Sequence, residues 1–99
     1  MFEVLQTDTF ADWLRNLKDT RAQARIAARI VRLRNGNHGH VRWLDDGLGE
    51  MKIPEGKGYR VYFVKRGTTI FLLLCGGDKS SQNADIKEAK RLAKETERP

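Results

Sequence analysis

The sequence predicts an α+β domain, on three observations. Apolar residues recur at helical spacing near the start of the chain and again near its end, between Gln82 and Glu95. Between Val41 and Cys75 the period changes to two. Turn-forming residues, "DDG", "PEGKG" and "RGTT", punctuate that middle portion. Helices flanking a run of hairpin-connected strands give a mostly antiparallel sheet with helices outside the meander.

Taken in order, Glu3 to Gln6 is a short edge strand. Thr9 and Asp12 form a T-x-x-D pattern, a variant of the capping box, ahead of a helix carried by Phe10, Trp13, Leu14 and Leu17. Lys18-Asp19-Thr20 ends it and caps a second helix, from about Arg21 to Arg34. Ala22, Ile26, Ile30 and Leu33 lie on one face of that helix, while Arg21, Arg25, Arg29 and Arg32 form a second stripe. Asn35-Gly36 stops it, since both residues tolerate the left-handed conformation of a helix end. "NGNHGH" is then a loop. Val41–Leu44, Glu50–Ile53, Tyr59–Lys65 and Ile70–Cys75 read as strands, the last apolar on both faces, as at the centre of a sheet covered on two sides. The final helix carries Ile86, Ala89, Leu92 and Ala93.

Ninety-nine residues suit one domain. Lys and Arg outnumber Asp and Glu by 19 to 13, a net charge of +6. That balance favours a polyanionic partner: nucleic acid, an acidic protein or an anionic membrane surface. No apolar run approaches the roughly 20 residues of a spanning helix. Met1-Phe2-Glu3 opens no signal peptide, and a single cysteine makes neither an internal disulfide nor a thiolate zinc site. A soluble cytoplasmic protein is expected.

The "PEGKG" hairpin is where chemistry concentrates. If Ile53 sits opposite Tyr59, side-chain alternation sets Lys52 across from Arg60 and Glu50 across from Tyr62 on one polar face. Like charges directly opposite destabilise a sheet unless an anion sits between them. The apolar strand ends in "CGGDKSSQ". There Gly76-Gly77 lets the chain leave the sheet through dihedrals barred to other residues, or lets backbone approach a ligand. Asp78 to Ser81 follow at a helix N-terminus, which favours anions, with Lys79 adding a charge. A phosphate would thus meet Lys52, Arg60 and Lys79.

Each residue also has a plainer reading. Lys52 and the arginine stripe are solvated surface, Arg60 is bridged to Glu50 or Asp78, Tyr62 is sheet packing, and Asp78 or Ser81 is a helix cap. Trp13 and Trp43 are core or half-core, and Cys75 is an inert small apolar residue. His38 and His40 lie in a loop with no Cys or acidic cluster, a poor ligand set, so no metal site is expected. "GGDKSS" lacks the G-x-x-x-x-G-K-[ST] spacing of a nucleotide-binding loop.

At "GYRVYF", "LLLCGGDKSSQ" and "DIKEAK" the chain resembles the RelE/ParE toxin superfamily, and within it the HigB-like branch of addiction-module killer proteins of phage or plasmid origin. The resemblance runs from Phe10 to Leu92 and includes "FADWLRNLKD", "ARIAARI" and the Gly-x-Gly-Tyr-Arg turn. It implies two N-terminal helices packed on a mostly antiparallel four- to five-stranded sheet, plus a C-terminal helix. It implies the toxin of a bacterial type II toxin-antitoxin system. The partner would be a cognate antitoxin, often a helix-turn-helix protein, through which alone operator DNA is reached. Many members enter the ribosome and cleave mRNA; others of the fold inhibit DNA gyrase.

For the cleaving members the resemblance implies metal-independent transphosphorylation with no cofactor. Arg60 takes the place of their strand arginine, Lys52 that of a basic residue in the preceding strand, and Lys79 falls where relatives carry further functional residues. Arg60 and Lys79 would stabilise phosphoryl charge. Lys52 would be base or clamp, and Tyr62 would stack on a base or touch the phosphate. Arg21, Arg25, Arg29 and Arg32 would bind rRNA backbone. No His or Tyr follows Tyr62, so no C-terminal group of those types supplies the acid or base. Gyrase inhibition without RNA cleavage, and nucleic-acid binding without catalysis, are the alternatives.

Overall fold

The computed structural model describes residues 1–97. Strand β1 (Glu3–Gln6) leads into helices α1 (Asp8–Arg15) and α2 (Thr20–Arg34). The meander β2 (Val41–Trp43), β3 (Leu48–Ile53), β4 (Tyr59–Arg66) and β5 (Ile70–Gly77) follows, and α3 (Gln82–Glu95) closes the described chain. The five strands form one sheet in the order β1-β5-β4-β3-β2. Among the described residues only the β1–β5 pair is parallel, and the chain between its strands supplies the long crossover such a pair requires. The α+β architecture read from the sequence is therefore present, with five strands.

Local chemistry sets the helix ends, in one case differently from expectation. The N-cap of α1 is Thr7, not Thr9: its Oγ1 accepts from the Phe10 N–H. The same hydroxyl donates to the Leu74 carbonyl at 2.6 Å, fastening the helix to the sheet. Asp12, the expected capping-box partner, pairs with Arg15 instead. Asp19 caps α2 through the Ala22 N–H, and Gly36 at φ +89° ends it.

Alternation along the strands gives the sheet two apolar faces. One packs Met51, Ile53, Tyr59, Val61, Phe63, Phe71 and Leu73 against Phe10 of α1 and Ala22, Ile26 and Leu33 of α2. The other packs Leu48, Tyr62, Val64, Leu74 and Cys75 against Ala89 and Leu92 of α3. Each fully buried large side chain contributes on the order of 1.5–3 kcal/mol. Leu74 is the extra residue of a bulge, since Tyr62 pairs with Cys75 but Phe63 with Leu73. The bulge reverses the alternation, so that Leu74 and Cys75 both face α3. Burial pushes the Cys75 thiol up to about 12, as suits an inert packing residue.

The two glycines after Cys75 are a correction. Neither has a positive φ, and both belong to β5. Their missing Cβ makes room for neighbours: a Cβ on Gly76 would run into the Trp13 indole. On Gly77 it would lie within the Asp85 carboxylate. Close packing, not escape from the sheet, requires glycine there.

Candidate functional site

Strands β3 and β4 pair in the register that the apolar alternation predicts: Ile53 opposite Tyr59, Lys52 opposite Arg60 and Glu50 opposite Tyr62. The face they share turns toward α3, and Arg42 joins it because β2 pairs Arg42 with Glu50. The N-terminal residue of α3, Gln82, reaches the same place. The result is a pocket of about 220 Å³ lined by His40, Arg42, Glu50, Lys52, Arg60 and Gln82.

Glu50 is the hub of this pocket and is only 4 % exposed. Burying a carboxylate is costly unless donors surround it. Four do. The Arg42 Nε lies 3.1 Å from one carboxylate oxygen. On the other, the Tyr62 hydroxyl donates at 3.0 Å and the Gln82 amide at 2.9 Å, with the Arg60 Nε at 3.7 Å. Tyr62 is completely buried. Burial, the hydrogen bond to Glu50 and the nearby carboxylate charge push its phenol well above the ordinary range, so it is a permanent donor. With its ring sealed in the core, Tyr62 has no face on which a base could stack. This corrects the expected stacking role and makes it a buttress of Glu50.

Arg60 is buried as well, with 8 % of its side chain exposed. One terminal nitrogen donates to the Gly58 carbonyl at 3.2 Å. Its Nε–H finds no hydrogen-bond partner among the described residues, because Glu50 stands too far away to accept. A buried guanidinium N–H left unmet is costly and marks a place where an acceptor belongs. Arg42, Lys52 and Arg60 set three formal positive charges around the one carboxylate of the pocket. The pocket is therefore built for an anion, and an arginine fork suits phosphate oxygens.

Lys52 is exposed at the rim. Lys79 does not line this pocket. It borders a separate depression with Lys57, Asp78 and Ser80, two of which also line the larger cleft described below. Its Cβ lies 3.9 Å from where a Cβ on Gly58 would stand, and Gly58 is the residue whose carbonyl receives Arg60. Asp78 caps the 3-10 turn Lys79–Ser81, accepting from the Ser80 N–H and hydroxyl. Those bonds hold its carboxyl below the usual range. Its role is the cap.

The arginine stripe divides. Arg21 and Arg25 border a shallow surface hollow on α2, with Arg25 paired to Glu55 at 3.2 Å, and Arg32 is exposed. Arg29 is not a solvated cation. It donates to the carbonyls of Lys52 at 2.9 Å and His38 at 3.3 Å, with the His40 carbonyl at 3.5 Å. Burial, reinforced by Arg32, pulls its guanidinium below the ordinary value. These bonds clamp the 38–40 loop to α2 and β3, a role the stripe alone did not suggest.

Sequence reasoning left Arg42, Gln82 and His40 out of the site. Pairing the short strand at Val41 with Glu50–Ile53 would have found Arg42. His40 lies two residues before Arg42, hence on the same face. Gln82 needs the fold of α3 onto the sheet. Among the described residues, no group of three or more His, Cys, Asp or Glu could hold a metal ion, and no helix is long and apolar enough to cross a membrane.

A larger cleft of about 880 Å³ opens between α1, the loop before α2, the 54–58 loop and the end of β5. Trp13, Leu17 and Tyr59 give it an apolar floor, and Asp12, Asp19, Asp78 and Asp85 surround it, opposed by Lys18 and Lys57.

Comparison with known proteins adds three findings. The model of the phage-derived Gp49-like proteins (DUF891) matches residues 12–97. An uncharacterized protein of Haemophilus influenzae is 50% identical over 93 residues, 94% of either chain. The fold is similar to that of the E. coli toxin RelE, solved in the free state as a double arginine-to-alanine variant: TM-score 0.71, 13% identity, 91% of this chain and 96% of that one.

Proposed function

The chain belongs to the family of phage-derived Gp49-like proteins, and on that premise we propose that it is the toxin of a type II toxin-antitoxin system, a HigB-like mRNA endoribonuclease acting on the ribosome. One observation carries the reading: the buried Arg60 guanidinium, with an unmet N–H, in a pocket of net positive charge. The RelE-type fold supports it.

In the proposed reaction the 2′-OH of one nucleotide attacks its own 3′-phosphate in line, leaving a 2′,3′-cyclic phosphate and a free 5′-OH. Negative charge grows on the phosphoryl oxygens. Arg60 is preorganised to meet it, Arg42 and Lys52 add to the field, and Lys79 grips the next stretch of backbone. Glu50 takes the 2′-OH proton, being the carboxylate of the pocket and an acceptor when ionised. Tyr62 and Gln82 hold that carboxylate in place. Arg21, Arg25 and Arg32 on α2 supply a salt-sensitive surface for rRNA. A cognate antitoxin, a helix-turn-helix protein, neutralises the toxin and carries it to operator DNA.

Purified protein mixed with translating ribosomes tests this by mapping 5′ ends of mRNA. Wild type yields new ends within codons, and Arg60→Ala loses them by about 10²-fold or more. Undiminished cleavage by Arg60→Ala would remove the site. Uncut mRNA together with relaxed DNA in a gyrase assay would replace the reading with gyrase inhibition.

A further inference from the structure

In-line transphosphorylation needs two proton transfers on opposite sides of phosphorus: one from the 2′-oxygen and one to the departing 5′-oxygen. Glu50 accounts for the first alone. The second needs a donor. The arginines that line the pocket do not release protons, and Lys52, exposed at the rim, is assigned above to the electrostatic field. Gln82 does not titrate. His40 lines the same pocket and carries the side-chain type whose charge changes near neutrality.

His40 is exposed, but its backbone is held in place, which that of a glycine-rich loop need not be. Its residue immediately precedes β2, where Val41 pairs with Met51 and Arg42 with Glu50. His40 thus stands at the edge of the β2–β3 pairing, beside Lys52 in the lining of the pocket. The Arg29 clamp spans both sides of the junction, reaching the His38 and His40 carbonyls on the loop and the Lys52 carbonyl on β3. Gly39, at φ +63°, makes room for it: a Cβ there would stand 3.2 Å from the guanidinium. The neighbouring histidine is turned elsewhere, with the His38 ring edge-on to Trp43 and its Nδ1 3.0 Å from the Gly39 carbonyl. Of the two histidines, His40 is the one delivered to the pocket.

We infer that His40 is the general acid of this site, giving its proton to the 5′-oxygen as the phosphorus–oxygen bond breaks. The inference rests on the ribonuclease reading above. The steps balance: the O2′–H proton passes to the Glu50 carboxylate, O2′ bonds to phosphorus, the P–O5′ bond breaks, and an imidazolium N–H proton of His40 passes to O5′. Water then returns Glu50 and His40 to their starting forms. The charged side chains that line the pocket with His40 are Arg42 from β2, Glu50 and Lys52 from β3 and Arg60 from β4.

A leaving-group substitution tests the role. The substrates are synthetic mRNAs carrying at the cleaved linkage either the natural 5′-oxygen or a bridging 5′-sulfur, which departs without needing a proton. Wild type, His40→Ala, His40→Gln and Arg60→Ala are each assayed with translating ribosomes, after thermal melts confirm folding. Both His40 variants are expected to cut the natural linkage about 10²- to 10⁴-fold more slowly than wild type. On the sulfur linkage they approach the wild-type rate, while Arg60→Ala stays slow on both. His40 variants that cut the natural linkage at the wild-type rate, or that are equally slow on both linkages, overturn the inference and leave the ribonuclease reading standing. A wild type that cuts neither substrate overturns both.

Discussion

Tyr59 and Arg60 are consecutive residues of β4, yet they turn to two different hollows. Tyr59 helps floor the cleft of about 880 Å³, rimmed by four aspartates against two lysines. Arg60 lines the pocket of about 220 Å³, where three cations face one glutamate. The larger hollow has the volume and aromatic floor usually sought in a binding site. Its rim repels a polyanion. Its carboxylates are, moreover, largely employed: Asp19 caps α2, Asp78 caps the turn before α3, and Asp85 receives the Ser81 hydroxyl. The smaller pocket instead holds the Arg60 Nε–H, which is buried and has no acceptor among the described residues. An unmet hydrogen bond together with the sign of the charge is why the proposal favours this pocket over the larger one.

Substitutions in the two hollows sharpen that contrast, and the largest effect is expected at Glu50. Glu50→Ala leaves Arg42, Tyr62 and Gln82 without their shared acceptor and Arg60 without its neighbouring countercharge. It should cost about 3 kcal/mol of stability, at the low end for breaking a buried ion pair because the pocket opens to water. Asp12→Ala on the rim of the cleft, whose ion pair with Arg15 is solvent-exposed, should stay within about 0.5 kcal/mol. Urea melts of both variants make the comparison. Equal losses would break it.

A smaller effect is expected where the cleft meets the sheet. Gly76→Ala drives a methyl into the Trp13 indole and should cost about 1–3 kcal/mol. In a Trp13→Leu background the penalty should shrink, because the obstacle has gone. A penalty independent of residue 13 would point back to backbone conformation.

The smallest effect concerns pH. Burial raises the Asp85 carboxyl above its ordinary value of 3.8, outweighing the Ser81 hydrogen bond. The folded protein thus binds that proton more tightly than the unfolded chain. Asp85 favours folding while protonated, and the advantage is lost as pH rises through its folded-state value. Asp85→Asn removes this dependence. The melting temperature of the variant minus that of wild type should increase as pH is raised from below 3.8 toward neutrality. A flat or falling difference would show that the Ser81 bond dominates.

How far the sequence reached depended on the kind of signal. The Lys52–Arg60 and Glu50–Tyr62 pairs were legible because apolar residues alternate strictly on both arms of their hairpin, and a slip of one residue would have turned either arm inside out. Period alone placed α3 at its observed ends. The bulge at Leu74 was invisible, since every residue around it is apolar, yet it decides that Gly76 faces Trp13 and Gly77 faces Asp85. Gly76-Gly77 therefore looked like a chain exit when the two residues serve close packing. Arg29 followed the same helical stripe as Arg25 and Arg32. Only the fold of the 38–40 loop against α2 converts it from a surface cation into a clamp. Tyr62 was placed on the right face, but burial under α3, a property of the third dimension, changes what its hydroxyl can do.

The central claim is that the Arg60 pocket, and not the larger cleft, receives an RNA phosphate. Side-chain N–H signals report on both hollows in one titration with a short RNA methylated at its 2′-oxygens, which binds but cannot be cut. The account predicts that the Arg60 Nε–H signal moves and saturates while the Trp13 indole N–H stays in place. A shift at Trp13 with Arg60 unmoved would contradict it.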